Sequence, residues 1–148
     1  LSIMTLAVGY AQEPSKAEFK VKELVKKYEN VKDVECLTIG KGRGLGLVKM
    51  AFNQQFGRDF MKGVKSITII NYSDASNEVC QALRQELDAF SSLLEEIKPK
   101  EDKGSPNKGY SRSFASISNG NTMSDFVIAI EDDESKMMMY MAGKIKLE

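Results

Sequence analysis

The chain has 148 residues, 42% of them hydrophobic and 28% charged, and its 21 Lys and Arg residues balance its 21 Asp and Glu residues. This length predicts one domain, and the neutral charge argues against nucleic acid, whose binding depends on neutralising phosphates. The chain contains no histidine, which excludes Ser-His-Asp and Cys-His nucleophile systems and removes the commonest metal ligand. A binding protein is therefore expected rather than an enzyme, with no catalytic residue, metal site or cofactor predicted.

The first twelve residues form a short apolar run that resembles the end of a secretory signal peptide. Gly9 and Ala11 stand two positions apart, as signal peptidase requires just before its cut. We therefore interpret residues 1–11 as a signal-peptide remnant and residues 12–148 as a single exported domain, periplasmic or at the cell surface. An N-terminal strand or buried arm is the alternative. The run is too short to span a bilayer, so no membrane span is expected.

Two helices and a strand are predicted in the first half of the domain. Ser15 and Glu18 have capping-box spacing, and the first helix then buries one face. That face consists of Val21, Leu24, Val25 and Tyr28. Residues 34–39 predict a short strand that ends in a glycine-rich turn. The second helix follows, with a stripe of Leu45, Val48, Phe52, Phe56 and Phe60.

A central strand and a long third helix come next. Residues 64–72 are apolar on both faces, which is typical of a buried strand. Asp74 or Ser76 is the expected N-cap of the third helix. Its apolar face is predicted to run through Val79, Leu83, Leu87, Phe90, Leu94 and Ile97. Residues 98–108 carry two prolines and a glycine and are interpreted as a linker.

Three strands are predicted to close the domain, over residues 110–117, 125–131 and 136–145. Asn119-Gly120 is a strong hairpin signal between the first two. The element order is therefore α-β-α-β-α-β-β-β. We expect an α+β two-layer sandwich in which a five-stranded mixed sheet carries all three helices on one face, with parallel right-handed crossovers before the final meander.

Cys36 and Cys80 are the only cysteines of the chain. An exported protein could pair them in one disulfide. Two free cysteines packed as small apolar residues, one on a strand and one on a helix, are the favoured interpretation.

The combined pattern of elements resembles a known family. A leader ending in Ala11-Gln12 precedes an amphipathic helix that closes in Lys27-Tyr28. A short strand into a Gly40-Lys41 turn, the strand at residues 64–70 and a meander closing on residues 141–145 follow. In this order the chain resembles the small exported bacterial proteins grouped as domain of unknown function family 4252. The resemblance implies no activity, cofactor or functional residue.

The glycine-rich turn after the first strand is one candidate site. Lys41, Gly42, Arg43 and Gly44 lie between a strand and a helix, where backbone N–H groups and two cations would suit an anion. The spacing matches neither the dinucleotide-binding nor the P-loop pattern. A flexible connection is therefore favoured over an anion-binding loop.

The methionine row near the end of the chain is the second candidate site. Strand alternation places Met137, Met139 and Met141 on one face and Met138 on the other. Thioethers suit Cu(I), but methionine also fills irregular cores and adaptable binding surfaces. Core or sheet-face packing is favoured, a peptide or apolar-ligand surface comes second, and a copper site third.

A sheet with all helices on one face leaves the other face to be explained. Its outward residues are predicted to be Ser111, Ser113 and Ala115, with either Val127 and Ala129 or the methionine row on neighbouring strands. Such a face suits a protein or peptide partner, or a second copy of the chain. The preferred hypothesis is an exported, non-enzymatic interaction module. The alternative is a small Cu(I)-binding or anion-binding protein, or an enzyme, centred on the methionine row or the glycine-rich turn.

Overall fold

The computed structural model describes residues 15–40, 44–47, 49–50, 62–97, 109–118 and 122–146. Its elements are α1 (Lys16–Tyr28), β1 (Glu35–Ile39), β2 (Gly63–Asn71), α2 (Asn77–Asp88), β3 (Glu95–Ile97), β4 (Tyr110–Ser118), β5 (Thr122–Glu131) and β6 (Lys136–Lys146). Residues 44–47 and 49–50 are also helical, and Ala89–Ser92 form a 3-10 turn directly after α2.

The starts of both long helices follow the sequence signals. Ser15 caps α1 by accepting a hydrogen bond from the Glu18 N–H at 3.0 Å. Ser76, rather than Asp74, caps α2 and accepts from the Val79 N–H at 3.3 Å. Each cap satisfies a backbone donor that the first turn leaves without an intrahelical partner.

The third predicted helix is shorter than expected. Val79, Leu83 and Leu87 lie on α2, but the helix ends at Asp88. Phe90 is buried in the 3-10 turn, and Ile97 belongs to the extra strand β3. Phe90 and Leu94 pack on the same side of the sheet as α2, whereas Ile97 packs on the opposite side. Segments as short as residues 89–92 and 95–97 are too short to show a period of their own, so the sequence pattern did not reveal the helix end.

The sheet has six strands in the order β1-β2-β6-β5-β4-β3, and every neighbouring pair is antiparallel. The predictions of five strands and of a mixed sheet with parallel crossovers are therefore wrong. Periodicity does not report strand direction, and the long connection from β1 to β2 permits either direction. The meander of β4, β5 and β6 is confirmed. The Asn119-Gly120 turn and the linker at residues 98–108 lie outside the described residues.

The core has two layers, one on each face of the sheet. On the α1/α2 face, the helices cover a cluster centred on Phe114, Val127 and Tyr140. We call the opposite side the methionine face, because Met139 and Met141 lie there. Leu45, from the helical stretch 44–47, is 4% exposed and packs in the methionine-face cluster. The expectation of three helices on one face is therefore wrong: this sheet is apolar on both sides, and each side needs a cover.

Both cysteines are free, as the favoured interpretation expected. Cys36 is half-buried on β1, and Cys80 is buried on α2. Each packs with the core on the α1/α2 face. They therefore act as small apolar side chains of that core.

Candidate functional site

The structure places the predicted methionine row on one face of a central strand. Met139 and Met141 belong to the methionine-face core, whereas Met138 is buried on the α1/α2 side. Met137 lies two residues before Met139 on β6 and is half-buried. The alternation read from the sequence is therefore present in the sheet.

The neighbours of Met139 extend this row across five of the six strands. The register aligns Met139 with Ile69 on one side and with Ile128 on the other. Ile69 pairs in turn with Leu37 on the edge strand β1, and Ile128 pairs with Ser113 on β4. One line of mostly apolar side chains thus runs from β1 to β4.

The two ends of the methionine face differ in exposure. Toward one end, Val64, Ile67, Met141 and Ile145 are all buried beneath a cover that includes Leu45. Toward the other end, Leu37 is 55% exposed and Ile130 is 41% exposed. We name the second region the open apolar surface, and it consists of Leu37, Ile69, Ile128, Ile130, Met137 and Met139.

Other predicted outward residues divide between the two faces. Ser111 and Ser113 flank the open apolar surface on β4, because their strand partners are Ile130 and Ile128. Val127 and Ala129 are fully buried under the helices on the α1/α2 face. The methionine row is therefore the one that shares a face with the β4 serines.

Of the glycine-rich turn, only the end falls within the described residues. Gly44 begins the helical stretch and is exposed. Lys41, Gly42 and Arg43 lie outside the described residues, so the geometry of the predicted anion loop stays untested.

The chemistry available to a metal ion on the described residues is limited. In the described ranges, no three His, Cys, Asp or Glu side chains are grouped closely enough to hold a metal ion. Met141 is 3% exposed and packs with Ile67 and Ile145, and Met139 packs at the edge of the same cluster. These aliphatic neighbours provide packing partners for the thioethers.

Sequence reasoning missed a polar cleft on the α1/α2 face. The cleft has a volume of about 500 Å³ and lies beside the first turn of α1. Its charged and hydroxyl-bearing residues are Ser15, Glu18, Lys65, Ser66, Ser124, Asp125, Tyr140 and Lys144. We call it the bulge cleft, because the strand pairing is irregular at Val64/Ser66 in β2 and at Ser124/Phe126 in β5.

The local backbone explains how these side chains come together. Asp125 has φ +54°, a left-handed conformation that is uncommon for a residue other than glycine. Gly143 has φ +109° and lies against the Gly63 backbone. Bulges bend strands and re-aim side chains, and they are frequent near functional sites. No alternation pattern in the sequence signals them, because an inserted residue breaks the alternation.

The fold and both surfaces define an α+β domain built on one antiparallel sheet and equipped with an open apolar surface and a polar cleft. The profile of the family described as "Domain of unknown function (DUF4252)" matches residues 28–148. The chain belongs to this family, as the resemblance predicted. No curated protein and no solved structure matches the chain. Within the described residues, none of the helices has the length and apolarity needed to cross a bilayer.

Proposed function

We propose that this protein is an exported, non-enzymatic interaction module that binds a protein partner through the open apolar surface. The observation that carries the proposal is the exposure of Leu37 and Ile130, at 55% and 41%, on a sheet face lined by further apolar side chains. Contiguous apolar patches are costly to leave in water and mark interaction sites. A partner with an apolar surface of its own would remove both side chains from solvent.

The shape and composition of the surface support a protein partner. It is built on strands β1, β2, β6 and β5, which makes it a broad sheet surface rather than an enclosed pocket. Met137 and Met139 lie at its centre, and flexible thioether side chains adapt to irregular partner surfaces. The serines of β4 supply a polar border, which is the usual rim of an interface.

Site-specific photocrosslinking tests this proposal. A photoreactive amino acid is placed at Leu37, at Ile130 or at Phe19, and adducts are identified in the cells that make the protein. Phe19 is the matched control, because it is 65% exposed on α1, away from the open apolar surface. We expect Leu37 and Ile130 to capture the same protein, either a partner or a second copy, and Phe19 not to capture it.

Binding of the purified pair provides the quantitative test. Leu37→Asp and Ile130→Asp should each weaken the affinity at least about tenfold, because each places a charge in a desolvated interface. Phe19→Asp should leave it unchanged. Equal losses for all three variants, or no common adduct, would contradict the proposal.

Export is supported by the apolar run and by the Gly9 and Ala11 spacing of the leader. The test is N-terminal sequencing of the protein recovered from cells that express the full-length gene. We expect the mature chain to begin at Gln12. A recovered chain that still carries Leu6-Ala7-Val8 would overturn this part of the proposal.

The alternative is a small metal-binding or anion-binding protein, or an enzyme. Its metal form requires at least two thioethers of Met137, Met139 and Met141 to converge on one Cu(I) ion. Successive side chains on one face of a strand are about 6.6 Å apart, so convergence depends on flexible side chains. The aliphatic packing of Met139 and Met141 favours the interaction module. The anion form depends on the loop at residues 41–44.

A further inference from the structure

The bulge cleft lies on the opposite side of the sheet from the open apolar surface, so the proposed partner leaves it unused. Four elements contribute to its lining, namely α1, β2, β5 and β6. Its volume of about 500 Å³ lies in the range of roughly 300–1,000 Å³ that small-molecule sites occupy. Its size is therefore sufficient for a small organic ligand.

Asp125 is held in the cleft by a defined contact. The Tyr140 hydroxyl donates a hydrogen bond of 2.6 Å to the Oδ1 atom of Asp125. Burial and this hydrogen bond raise the pKa of Tyr140, so the phenol stays protonated and remains a donor. This hydrogen bond uses one of the two carboxylate oxygens, Oδ1, and leaves Oδ2 outside the contact with Tyr140. A ligand cation can therefore bind Asp125 without displacing Tyr140.

The remaining charges of the cleft are of both signs. Lys65 and Lys144 are exposed lysines on the neighbouring strands β2 and β6, and both line the cleft. Glu18, from the first turn of α1, provides a second carboxylate. Two ammonium groups and two carboxylates complement a ligand that carries both charges better than a simple anion or cation.

We propose that the bulge cleft binds a small zwitterion, either a free amino acid or a short peptide. The ligand ammonium group binds beside Asp125 and Glu18, and the ligand carboxylate binds beside Lys144. Ser66 and Ser124 lie on the same lining and provide hydroxyl partners for the amide groups of a peptide. Charge-assisted hydrogen bonds at both ends would fix its orientation.

The dipeptide Ala-Ala is the probe for this site, with its N-acetylated, C-amidated form as the control ligand. The two compounds have the same side chains, but only the first carries both terminal charges. Each is titrated into the isotopically labelled protein, and backbone amide shifts are recorded by NMR. We expect saturable shifts around Lys65, Asp125 and Lys144 with Ala-Ala, and none with the capped compound.

Three variants test the residues. Asp125→Asn removes the carboxylate, and asparagine tolerates positive φ better than most residues. Asp125→Asn and Lys144→Gln should each weaken Ala-Ala binding about tenfold or more, as expected for the loss of a charge-assisted hydrogen bond. Lys146→Gln is the matched control, because Lys146 is exposed on the same strand and is not among the cleft residues.

Several outcomes would overturn the inference. They are the absence of saturable shifts with Ala-Ala, equal binding of the capped compound, or a loss with Lys146→Gln as large as the loss with Lys144→Gln. If Asp125→Asn does not fold, the two ligands still discriminate on the unmodified protein. Failure here leaves the open apolar surface untouched, because the crosslinking positions lie on the other face.

Discussion

Arg84 and Glu131 form a bidentate ion pair that links α2 to strand β5. The Arg84 Nη2 and Nε atoms donate to Oε1 and Oε2 of Glu131 at 2.8 and 3.0 Å. The Tyr72 hydroxyl donates to the same carboxylate at 2.9 Å. The Glu131 side chain is 4% exposed, whereas that of Arg84 is 46% exposed. The acid is therefore buried but paired, as buried charges must be.

Removal of the Arg84 charge should destabilise the fold. Arg84→Met keeps the aliphatic stem and, among the described residues, leaves Tyr72 as the hydrogen-bond donor to the Glu131 side chain. We expect a loss of about 1–3 kcal/mol, the cost of an incompletely satisfied buried group. Urea denaturation provides the measurement. The loss arises because the buried Glu131 carboxylate is left without its cation. The double variant Arg84→Met/Glu131→Gln, which removes that charge, should therefore recover part of the lost stability. A double variant less stable than Arg84→Met would contradict this explanation.

The same pair predicts a loss of stability in acid. Burial alone would raise the pKa of Glu131, but the Arg84 and Tyr72 hydrogen bonds outweigh it and hold the pKa below the ordinary 4.5. A lowered pKa means that the native state favours the ionised form. The contribution of the ionised Glu131 side chain to stability is therefore present above about pH 4.5. It is lost as the pH falls through the pKa that Glu131 has in the folded state.

The acid prediction is checked by urea denaturation over a series from about pH 6 to about pH 3. We expect the free energy of unfolding to fall along the series, and to fall less steeply for Glu131→Gln. Glu86, whose pKa is also lowered although burial opposes the shift, retains its pairing with Lys20 and Lys27 in both proteins. Parallel curves for the two proteins would show that Glu131 does not contribute.

Leu87 on α2 is a test of the core. It is fully buried and packs in the cluster between the helices and the sheet. Leu87→Ala should cost about 2–5 kcal/mol, which combines lost burial with the cavity left behind. Phe19→Ala is the exposed control on α1 and should change little. A change below about 0.5 kcal/mol for Leu87→Ala in thermal denaturation would be typical of a surface site and would contradict its assigned place.

Substitution of Gly143 tests whether the backbone at the bulge cleft requires glycine at this position. The φ of Gly143 is +109°, and a Cβ atom there would overlap the Gly63 carbonyl oxygen. Gly143→Ala should therefore cost more than about 1 kcal/mol, because the strand must shift or strain. Gly46→Ala is the matched control, since a Cβ there meets no atom within 4 Å and the residue is helical. Equal stabilities of the two variants would indicate that β6 relaxes freely.

Met139 and Met141 test whether the methionine row binds metal. Replacement of both by leucine conserves volume and should cost under about 1.5 kcal/mol each. We expect the double variant to fold and to bind Cu(I) no differently from the parent. Saturable Cu(I) binding by the parent that disappears in the variant would favour the metal-binding alternative.

The elements of this fold could be predicted from sequence to the extent that they repeat with a regular period. The buried faces of α1 and α2, the meander and the face of Met139 all follow alternation or helical spacing. Strand direction could not be predicted, because antiparallel and parallel strands can carry the same apolar pattern. Strand β3 was missed since it has three residues and begins with Glu95 and Glu96.

The candidate sites show the same limit. Met139 was identified because four methionines in five positions are conspicuous in the sequence. Its neighbours Leu37, Ile69 and Ile128 required the strand order, which brings Leu37 and Met139 into one row although they are far apart in the sequence. The bulge cleft required Asp125 to adopt a positive φ, and one sequence does not report that conformation.

The place of β6 in the sheet determines when the fold can form. This strand, at residues 136–146, is paired with β2 on one side and with β5 on the other, so it joins the β1–β2 pair to the β3–β4–β5 group. The two halves cannot be united into one sheet until β6 has paired with both β2 and β5. Assembly of the complete sheet is thereby postponed until residues 136–146 are available to pair.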